Sequence, residues 1–322
     1  MISDAFSIAR KEFVDAVTGK RLWLVAGIFL LFSIASTYST SFGFMMGVQQ
    51  ATRQMVQIAS AIASTTAYMA PLLGLALAFD AVCGERERGT LRLLLSRPIY
   101  REDVINGKII SALAVISLTM AVSSLASVSV SILLHNVAVT LDDIVRICIF
   151  IAFSIILSLA YYALSLFIST FSSKSSHSLI ISIGIWILFA FILPIISMLV
   201  AFAVLGSPPA RAATVFNMTQ RQQFGNFTFP REPPEEYLSY RRKFAEVSSI
   251  IQSFSINYHY TQITDSLFGF VTGPLEFGQR GRATASISTV LSTRIADIVI
   301  LIVFPMVFLF ASYMVFTRRQ EK

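Results

Sequence analysis

The chain has 322 residues, of which 55% are hydrophobic and 13% are charged. Soluble domains carry about 25% charged residues, so this composition excludes an ordinary water-soluble fold. The formal net charge of +7 could indicate a nucleic-acid partner. In a membrane protein, however, basic residues are first explained by orientation in the bilayer. We therefore expect a lipid bilayer around this chain and no nucleic-acid partner.

The first predicted element is an amphipathic helix at residues 1–21. Phe6, Ala9, Phe13 and Val17 recur at helical spacing, with charged residues between them. This pattern is typical of a helix that lies on the cytoplasmic membrane interface. A cytoplasmic extension of the first membrane span is the alternative.

Six stretches without charged residues follow along the chain. They cover 22–52, 54–79, 109–134, 147–173, 175–210 and 298–317. Each is long enough to cross about 30 Å of hydrocarbon at about 1.5 Å per helical residue. All are apolar on every face, which favours helices over the alternating strands of a β-barrel. We therefore predict an all-α membrane protein with six transmembrane helices, five within 22–205 and the sixth at 294–317.

The distribution of basic residues predicts the orientation of these spans. Arginines and lysines precede the first span, crowd the connection between the second and third, and follow the sixth. The two short connections on the opposite side hold only Arg53 and Arg146. Because cytoplasmic loops are enriched in basic residues, both termini, with the tail at 318–322, and the 84–108 connection should be cytoplasmic. The chain is thus expected to be a multi-pass protein of the cell membrane.

A hydrophilic segment with several prolines separates the fifth and sixth spans at residues 206–293. We predict that it forms a mainly helical extracytoplasmic domain. A helix-start signal is formed by Pro233 and Pro234, followed by Glu235 and Glu236. An apolar stripe at helical spacing comes after it. The stripe consists of Tyr240, Phe244, Val247, Ile251 and Phe254. It needs an apolar cover, supplied by this domain, by a second subunit or by a substrate.

Two N-x-[ST] tripeptides begin at Asn217 and Asn226, both in the segment predicted to lie outside the cell. The tripeptide is a weak signal by itself. Asn217 and Asn226 are therefore candidate glycosylation sites only if the source organism glycosylates secreted proteins.

The connection between the second and third spans holds the densest pattern in the chain. Glu85 and Arg88 can pair at helical spacing, and an apolar face follows them before Pro98 ends the helix. That face consists of Leu91, Leu94 and Leu95. The sequence thus predicts a short amphipathic helix at 84–97 that is presented to the cytoplasm. Asp80 lies at the cytoplasmic edge of the second span, where capping or pairing with Arg86 or Arg88 is favoured over proton transfer.

This connection resembles the signature of type-2 ABC exporter permeases. In that family a span ends near an acid and is followed by E-x-E-x-G-T-L, several leucines, a proline, a basic residue and G-K. The matching positions here are Asp80, Glu85, Glu87, Gly89, Thr90, Leu91, Leu94, Leu95, Pro98, Arg101, Gly107 and Lys108. Lys11-Glu12-Phe13 is similar to the family's interfacial entry helix, and permeases of the nitrous-oxide-reductase maturation type are among the similar members. The segment 206–293 departs from the family, whose members have short re-entrant elements there.

The resemblance implies that residues 84–97 form a coupling helix. Such a helix sits in a cleft of a separate nucleotide-binding ATPase subunit and carries its ATP-driven closure into the spans. The implied coupling residues are Glu85, Arg86, Glu87, Arg88, Gly89, Thr90, Leu91, Leu94 and Leu95. The resemblance also implies a second permease copy or a sibling permease, with ATP and magnesium bound by the ATPase.

The residues themselves agree that this chain is a transport subunit and not the ATPase. Gly19-Lys20 and Gly107-Lys108 lack both the earlier glycine and the following hydroxyl residue of a phosphate-binding loop. The histidines His135, His177 and His259 are scattered, so we expect no metal or other cofactor on this chain.

Two other classes of function remain as alternatives. An ATP-independent secondary transporter or channel would show internal repeats and broken helices with charges near mid-membrane, and none is apparent in the sequence. A membrane scaffold would use the outer domain to bind partners. The direction of transport, export, follows from the family resemblance alone.

Overall fold

The computed structural model describes residues 2–45, 54–90, 101–135, 140–207, 235–268 and 286–318. Within these ranges the helices are α1 (Ile2–Thr18), α2 (Lys20–Met45), α3 (Gln54–Ala78), α4 (Cys83–Glu87), α5 (Arg101–His135), α6 (Leu141–Phe171), α7 (Ser175–Leu205), α8 (Glu235–Gln252), α9 (Ile256–Leu267), α10 (Ile287–Thr293) and α11 (Ile295–Arg318). The described part of the chain contains no strand. The predicted all-α fold is confirmed.

Six of these helices are long and apolar enough to cross a membrane, namely α2, α3, α5, α6, α7 and α11. They match the six stretches without charged residues, so the prediction of six transmembrane helices is confirmed. The remaining helices lie at the ends of the spans or pack along them.

The centre of the bundle is formed by α3 and α6. In each of these two spans, 56% of the most apolar 18-residue stretch is buried, compared with 11% in α7 and 17% in α11. Leu157 and Tyr161 of α6 and Ala70 and Leu73 of α3 are at most 1% exposed. In a bilayer such contacts depend on close packing and hydrogen bonds, because lipid tails are as apolar as the side chains. The outer helices therefore have apolar faces free for lipid or for another subunit.

The N-terminal helix α1 is separate from the first span. It ends at Thr18, the chain bends at Gly19, and α2 begins at Lys20. Ala5 and Ala9 are buried, whereas Phe6 is 67% exposed. The buried side packs against the start of α5. The location of the exposed side at the membrane interface stays a prediction.

Helices α8 and α9 form a hairpin that enters the bundle. The Tyr240 hydroxyl donates to the Gly206 carbonyl oxygen at 2.8 Å, and the Gln252 amide donates to Ser197 Oγ at 2.9 Å. Helix α8 therefore runs antiparallel to α7, from its end towards its middle. At the turn, Ser255 Oγ donates to the Phe189 carbonyl oxygen at 3.0 Å. Phe189 lies in the π-helical turn Leu188–Ile192, near the middle of α7.

The second arm of the hairpin returns along α6. Tyr161 donates to Asn257 at 2.7 Å, Ser154 and Tyr260 share a hydrogen bond of 2.9 Å, and Arg146 donates to the Leu267 carbonyl oxygen. Residue numbers fall along α6 as they rise along α9, so the two helices are antiparallel. Asn257 also donates to the Ala67 carbonyl oxygen of α3 at 3.2 Å. The hairpin thus fills the space between α3, α6 and α7 over about half of the bundle's length.

The hairpin answers a question that the sequence left open. The apolar stripe of α8 is covered by α7, since the Phe244 and Phe202 rings lie 5.1 Å apart. The exception is Phe254 at the turn, which is 75% exposed. The described helices of the predicted domain at 206–293 therefore pack along the spans instead of standing apart from them. That this segment faces the outside of the cell stays a prediction.

Candidate functional site

The short helix α4 is anchored to the end of α6. The backbone N–H groups of Val82 and Cys83 both donate to Ser169 Oγ at 3.1 Å, and the Ser169 hydroxyl lies 3.2 Å from Cys83 Sγ. Val82, Cys83 and Ser169 are at most 1% exposed. One serine therefore satisfies two N–H groups that the start of a helix would leave unpaired.

Glu85 of α4 joins a buried ionic cluster with residues of α1 and α5. Lys108 Nζ donates to Glu85 Oε1 at 2.7 Å and to Glu12 Oε1 at 3.1 Å. The Lys108 side chain is 5% exposed. Two carboxylates offset the cost of burying this ammonium group, which would be several kcal/mol if it were alone. The cluster, here called the Lys108 triad, links the N-terminal helix, α4 and the third span.

Arg86 and Glu87 occupy the ends of two further spans. Arg86 donates to the Ser172 carbonyl oxygen at 2.9 Å, at the C-terminal end of α6. Glu87 Oε2 accepts from the backbone N–H of Ser175 at 3.0 Å and from its hydroxyl at 2.8 Å, at the N-terminal end of α7. Each charge is opposite to the partial charge of the helix end that it contacts. Helix α4 is thus fixed to α6 and α7 as well as to α1 and α5.

The chain after α4 presents an exposed tip formed by Arg88, Gly89 and Thr90. Arg88 Nε donates to the Gly84 carbonyl oxygen at 3.0 Å, and Thr90 Oγ1 donates to the Glu85 carbonyl oxygen at 3.2 Å. Gly89 has φ of 72° and open space around it, a backbone conformation that side chains other than glycine rarely adopt. The tip is therefore held by local hydrogen bonds and leaves its outer surface uncovered within the described part of the chain.

Two predicted pairings near this tip are wrong. Glu85 binds Lys108 and not Arg88, because α4 turns Glu85 towards the bundle. Asp80 binds Arg21, the second residue of α2, and not Arg86 or Arg88. The Arg21 guanidinium also lies over the Phe79 ring, 5.3 Å from its centroid. The structural role predicted for Asp80 stays the simplest interpretation, since its partner belongs to a neighbouring span.

Several predicted site residues lie outside the described residues. They are Leu91, Leu94, Leu95, Asn217 and Asn226. The structure therefore describes the predicted coupling helix at 84–97 only as far as Thr90.

A second polar cluster lies where α9 meets α11. His259 Nδ1 lies 2.7 Å from Asp297 Oδ1, and Arg294 Nη1 lies 3.6 Å from Asp297 Oδ2. The predicted site residues do not include this cluster. The sequence signal for this cluster is the pair Arg294 and Asp297, which lie three residues apart directly before an apolar run. Among the described residues, no three His, Cys, Asp or Glu side chains are grouped as metal ligands would be.

The sequence profile of the family described as ABC-2 family transporter protein matches residues 6–320. The chain belongs to the ABC-2 transporter family. This permease is therefore a multi-pass membrane protein.

Two curated relatives carry the name "Probable ABC transporter permease protein NosY". The protein from Pseudomonas aeruginosa is 30% identical over 187 residues, which cover 57% of this chain and 66% of the relative. The protein from Stutzerimonas stutzeri is 27% identical over 202 residues, which cover 61% of this chain and 70% of the relative. The chain thus spans just under two thirds of the length of the Pseudomonas aeruginosa relative and slightly more than two thirds of the Stutzerimonas stutzeri relative.

Proposed function

We propose that this ABC-2 permease is the transmembrane subunit of an ATP-driven exporter and is driven through α4 by a separate ATPase. The single observation that carries the proposal is the set of contacts that fix α4 to four other helices. Glu85 reaches α1 and α5 through Lys108, Arg86 reaches α6, and Glu87 reaches α7. A force applied to α4 therefore acts on the ends of several helices at once.

The exposed tip supplies the surface on which the ATPase would act. Arg88, Gly89 and Thr90 are exposed, and they lie next to the ionic contacts that tie α4 to the bundle. The ATPase would bind ATP and magnesium, and this chain would contribute no catalytic residue. We expect two permeases, identical or paired with a sibling, because ABC machines close two nucleotides between two ATPase subunits. Both chain termini and the tip would then face the cytoplasm.

A charge reversal at the tip tests the proposal. Arg88→Glu changes an exposed side chain that holds only a local contact, so the permease should fold and enter the membrane normally. The ATPase should no longer copurify with it, or should hydrolyse ATP without stimulation by the permease. The matched control is Arg242→Glu, the same change at an exposed arginine of α8, which should leave copurification and stimulation at parental levels.

The measurements are the stoichiometry of the complex in mild detergent and its ATPase rate in proteoliposomes, compared with the rate of the ATPase alone. Normal binding and normal stimulation of the Arg88→Glu variant would contradict the coupling role of α4. An equal loss in both charge-reversal variants would show that the defect is not specific to the tip.

A further inference from the structure

The hairpin α8–α9 is held in the bundle by the cluster around His259. The His259 ring contacts two acceptors: Nδ1 lies 2.7 Å from Asp297 Oδ1, and Nε2 lies 2.8 Å from the Ser253 carbonyl oxygen. Ser253 belongs to the hairpin turn and Asp297 to the start of α11. One side chain of α9, only 5% exposed, therefore ties the turn to the sixth span.

The chemistry of the two acceptors determines the state of the ring. A carbonyl oxygen can only accept, and so can an ionised carboxylate. Neutral imidazole has one N–H, whereas the imidazolium ion has two. Both contacts are thus satisfied only when His259 carries its second proton. A neutral ring would point a lone pair at one of the two acceptors inside the bundle.

The surroundings of the cluster favour the charged ring. The ionisable groups that face His259 in the described structure are Asp297 of α11, Arg294 directly before α11, and the neighbouring Tyr258, whose ring centroid lies 5.6 Å away. The described residues of α3, α6 and α8 add no further ionic contact to it. Each ring nitrogen faces an acceptor and Asp297 carries the opposite charge, so these neighbours favour the protonated ring.

Arg294 provides a second link between α9 and α11 that does not involve His259. Its Nη1 lies 3.6 Å from Asp297 Oδ2, and its Nε donates to Ser266 Oγ at 2.8 Å. Asp297 is thus flanked by a cation on each side, and Arg294 independently ties the end of α9 to the start of α11. Loss of the His259 proton would release the turn while leaving this second tie in place.

We propose that His259 and Asp297 form a proton-binding latch that holds the turn of the α8–α9 hairpin against α11 while His259 is doubly protonated. The ligand of this site is a proton. The sign follows from the two acceptors: the latch is closed at low pH and opens as the pH rises through the pKa of His259. The turn would then be free to move away from the middle of α7, where Ser255 contacts Phe189.

The fluorescence of Trp186 can report this movement in the isolated permease. Trp186 lies one helical turn before Phe189, and its ring is 5.5 Å from that of Phe191. Because the chain has two tryptophans, Trp23→Phe leaves Trp186 as the only tryptophan, which is excited selectively at wavelengths that tyrosine does not absorb. Emission would be recorded from about pH 5 to about pH 9, a window in which histidine is the main side chain to titrate. The parent should show one transition within this window.

Three variants in this background separate the latch from other causes. His259→Gln cannot donate from both positions, so it should show the high-pH signal throughout. Asp297→Asn can donate its amide N–H to a neutral Nδ1, so its midpoint should fall by about 1 pH unit or more. The matched control His177→Gln removes an exposed histidine of α7 and should keep the parental midpoint.

The latch is rejected if the parent shows no transition, or if His259→Gln keeps the transition at the parental midpoint. Should His259→Gln fail to fold, an unchanged midpoint in Asp297→Asn rejects the latch by itself. The experiment needs neither ATPase nor substrate. Its failure would therefore leave the proposed export function untouched, and failure of the Arg88→Glu test would leave the latch untouched.

Discussion

At the scale of single residues, Lys108 joins three helices, α1, α4 and α5, through its two glutamate partners. It is 5% exposed, while its partners Glu85 and Glu12 are 15% and 26% exposed. One ammonium group therefore balances two carboxylates that reach it from different helices. Removal of the lysine leaves two like charges facing each other, whereas removal of one glutamate leaves a balanced pair.

This asymmetry gives a stability prediction. Lys108→Met keeps the length of the side chain and removes its charge, so it should destabilise the fold by about 3–5 kcal/mol, the cost of breaking a buried ion pair from one side. Glu12→Gln should be much milder, because Lys108 keeps Glu85. The check is the thermal unfolding midpoint of each purified variant in detergent. Similar losses for both variants would mean that the triad does not act as one charge-balanced unit.

At the scale of elements, the contact between α1 and α5 depends on a glycine. A Cβ atom built on Gly107 would lie 2.7 Å from Ile8 Cγ2 and 3.0 Å from the Ala5 carbonyl oxygen. Neither distance is tolerated without movement, and the second contact is with backbone. Gly107 belongs to the G-K pair of the family signature, so the structure supplies a packing reason for a residue type that the resemblance only named.

We therefore predict that Gly107→Ala pushes α1 away from α5 and costs about 1–3 kcal/mol, the range for overpacking. Trypsin should then cleave faster at Arg10 and Lys11 on the loosened helix, and Ile8→Ala should restore part of the protection. Gly184→Ala in α7 is the matched control, since no atom lies within 4 Å of its added Cβ. Equal protease rates in the parent and the Gly107→Ala variant would rule out this packing role.

The success of sequence reasoning differed from element to element. The spans could be predicted, because an uncharged run of helix length has one stable outcome in a bilayer. The ion pairs of Glu85 and Asp80 could not be predicted, because helical spacing offered cations that are nearer in sequence. Their actual partners, Lys108 and Arg21, are distant in sequence. The hairpin was missed for a similar reason: the polar residues of α9 that suggested an exposed domain are satisfied by spans.

At the scale of the whole molecule, the two candidate sites occupy different parts of the bundle. Helix α4 contacts the end of α6 and the start of α7, whereas the hairpin enters beside the end of α7 and leaves beside the start of α6. Since α6 and α7 each cross the bundle once, α4 and the open end of the hairpin lie at opposite ends. We therefore expect one of them in the cytoplasm and the other outside.

The last prediction is that α4 faces the cytoplasm and α8 faces the outside. Thr90→Cys and Ser239→Cys place thiols at exposed positions near the two ends, in a Cys148→Ser background whose remaining cysteine, Cys83, is buried. A membrane-impermeant maleimide added to intact cells should label the Ser239→Cys variant and not the Thr90→Cys variant. Inside-out vesicles should reverse this result, because each thiol is then presented from the other side. The opposite labelling would invert the topology and place the tip at Arg88, Gly89 and Thr90 out of reach of a cytoplasmic ATPase, which would also remove the basis of the proposed coupling.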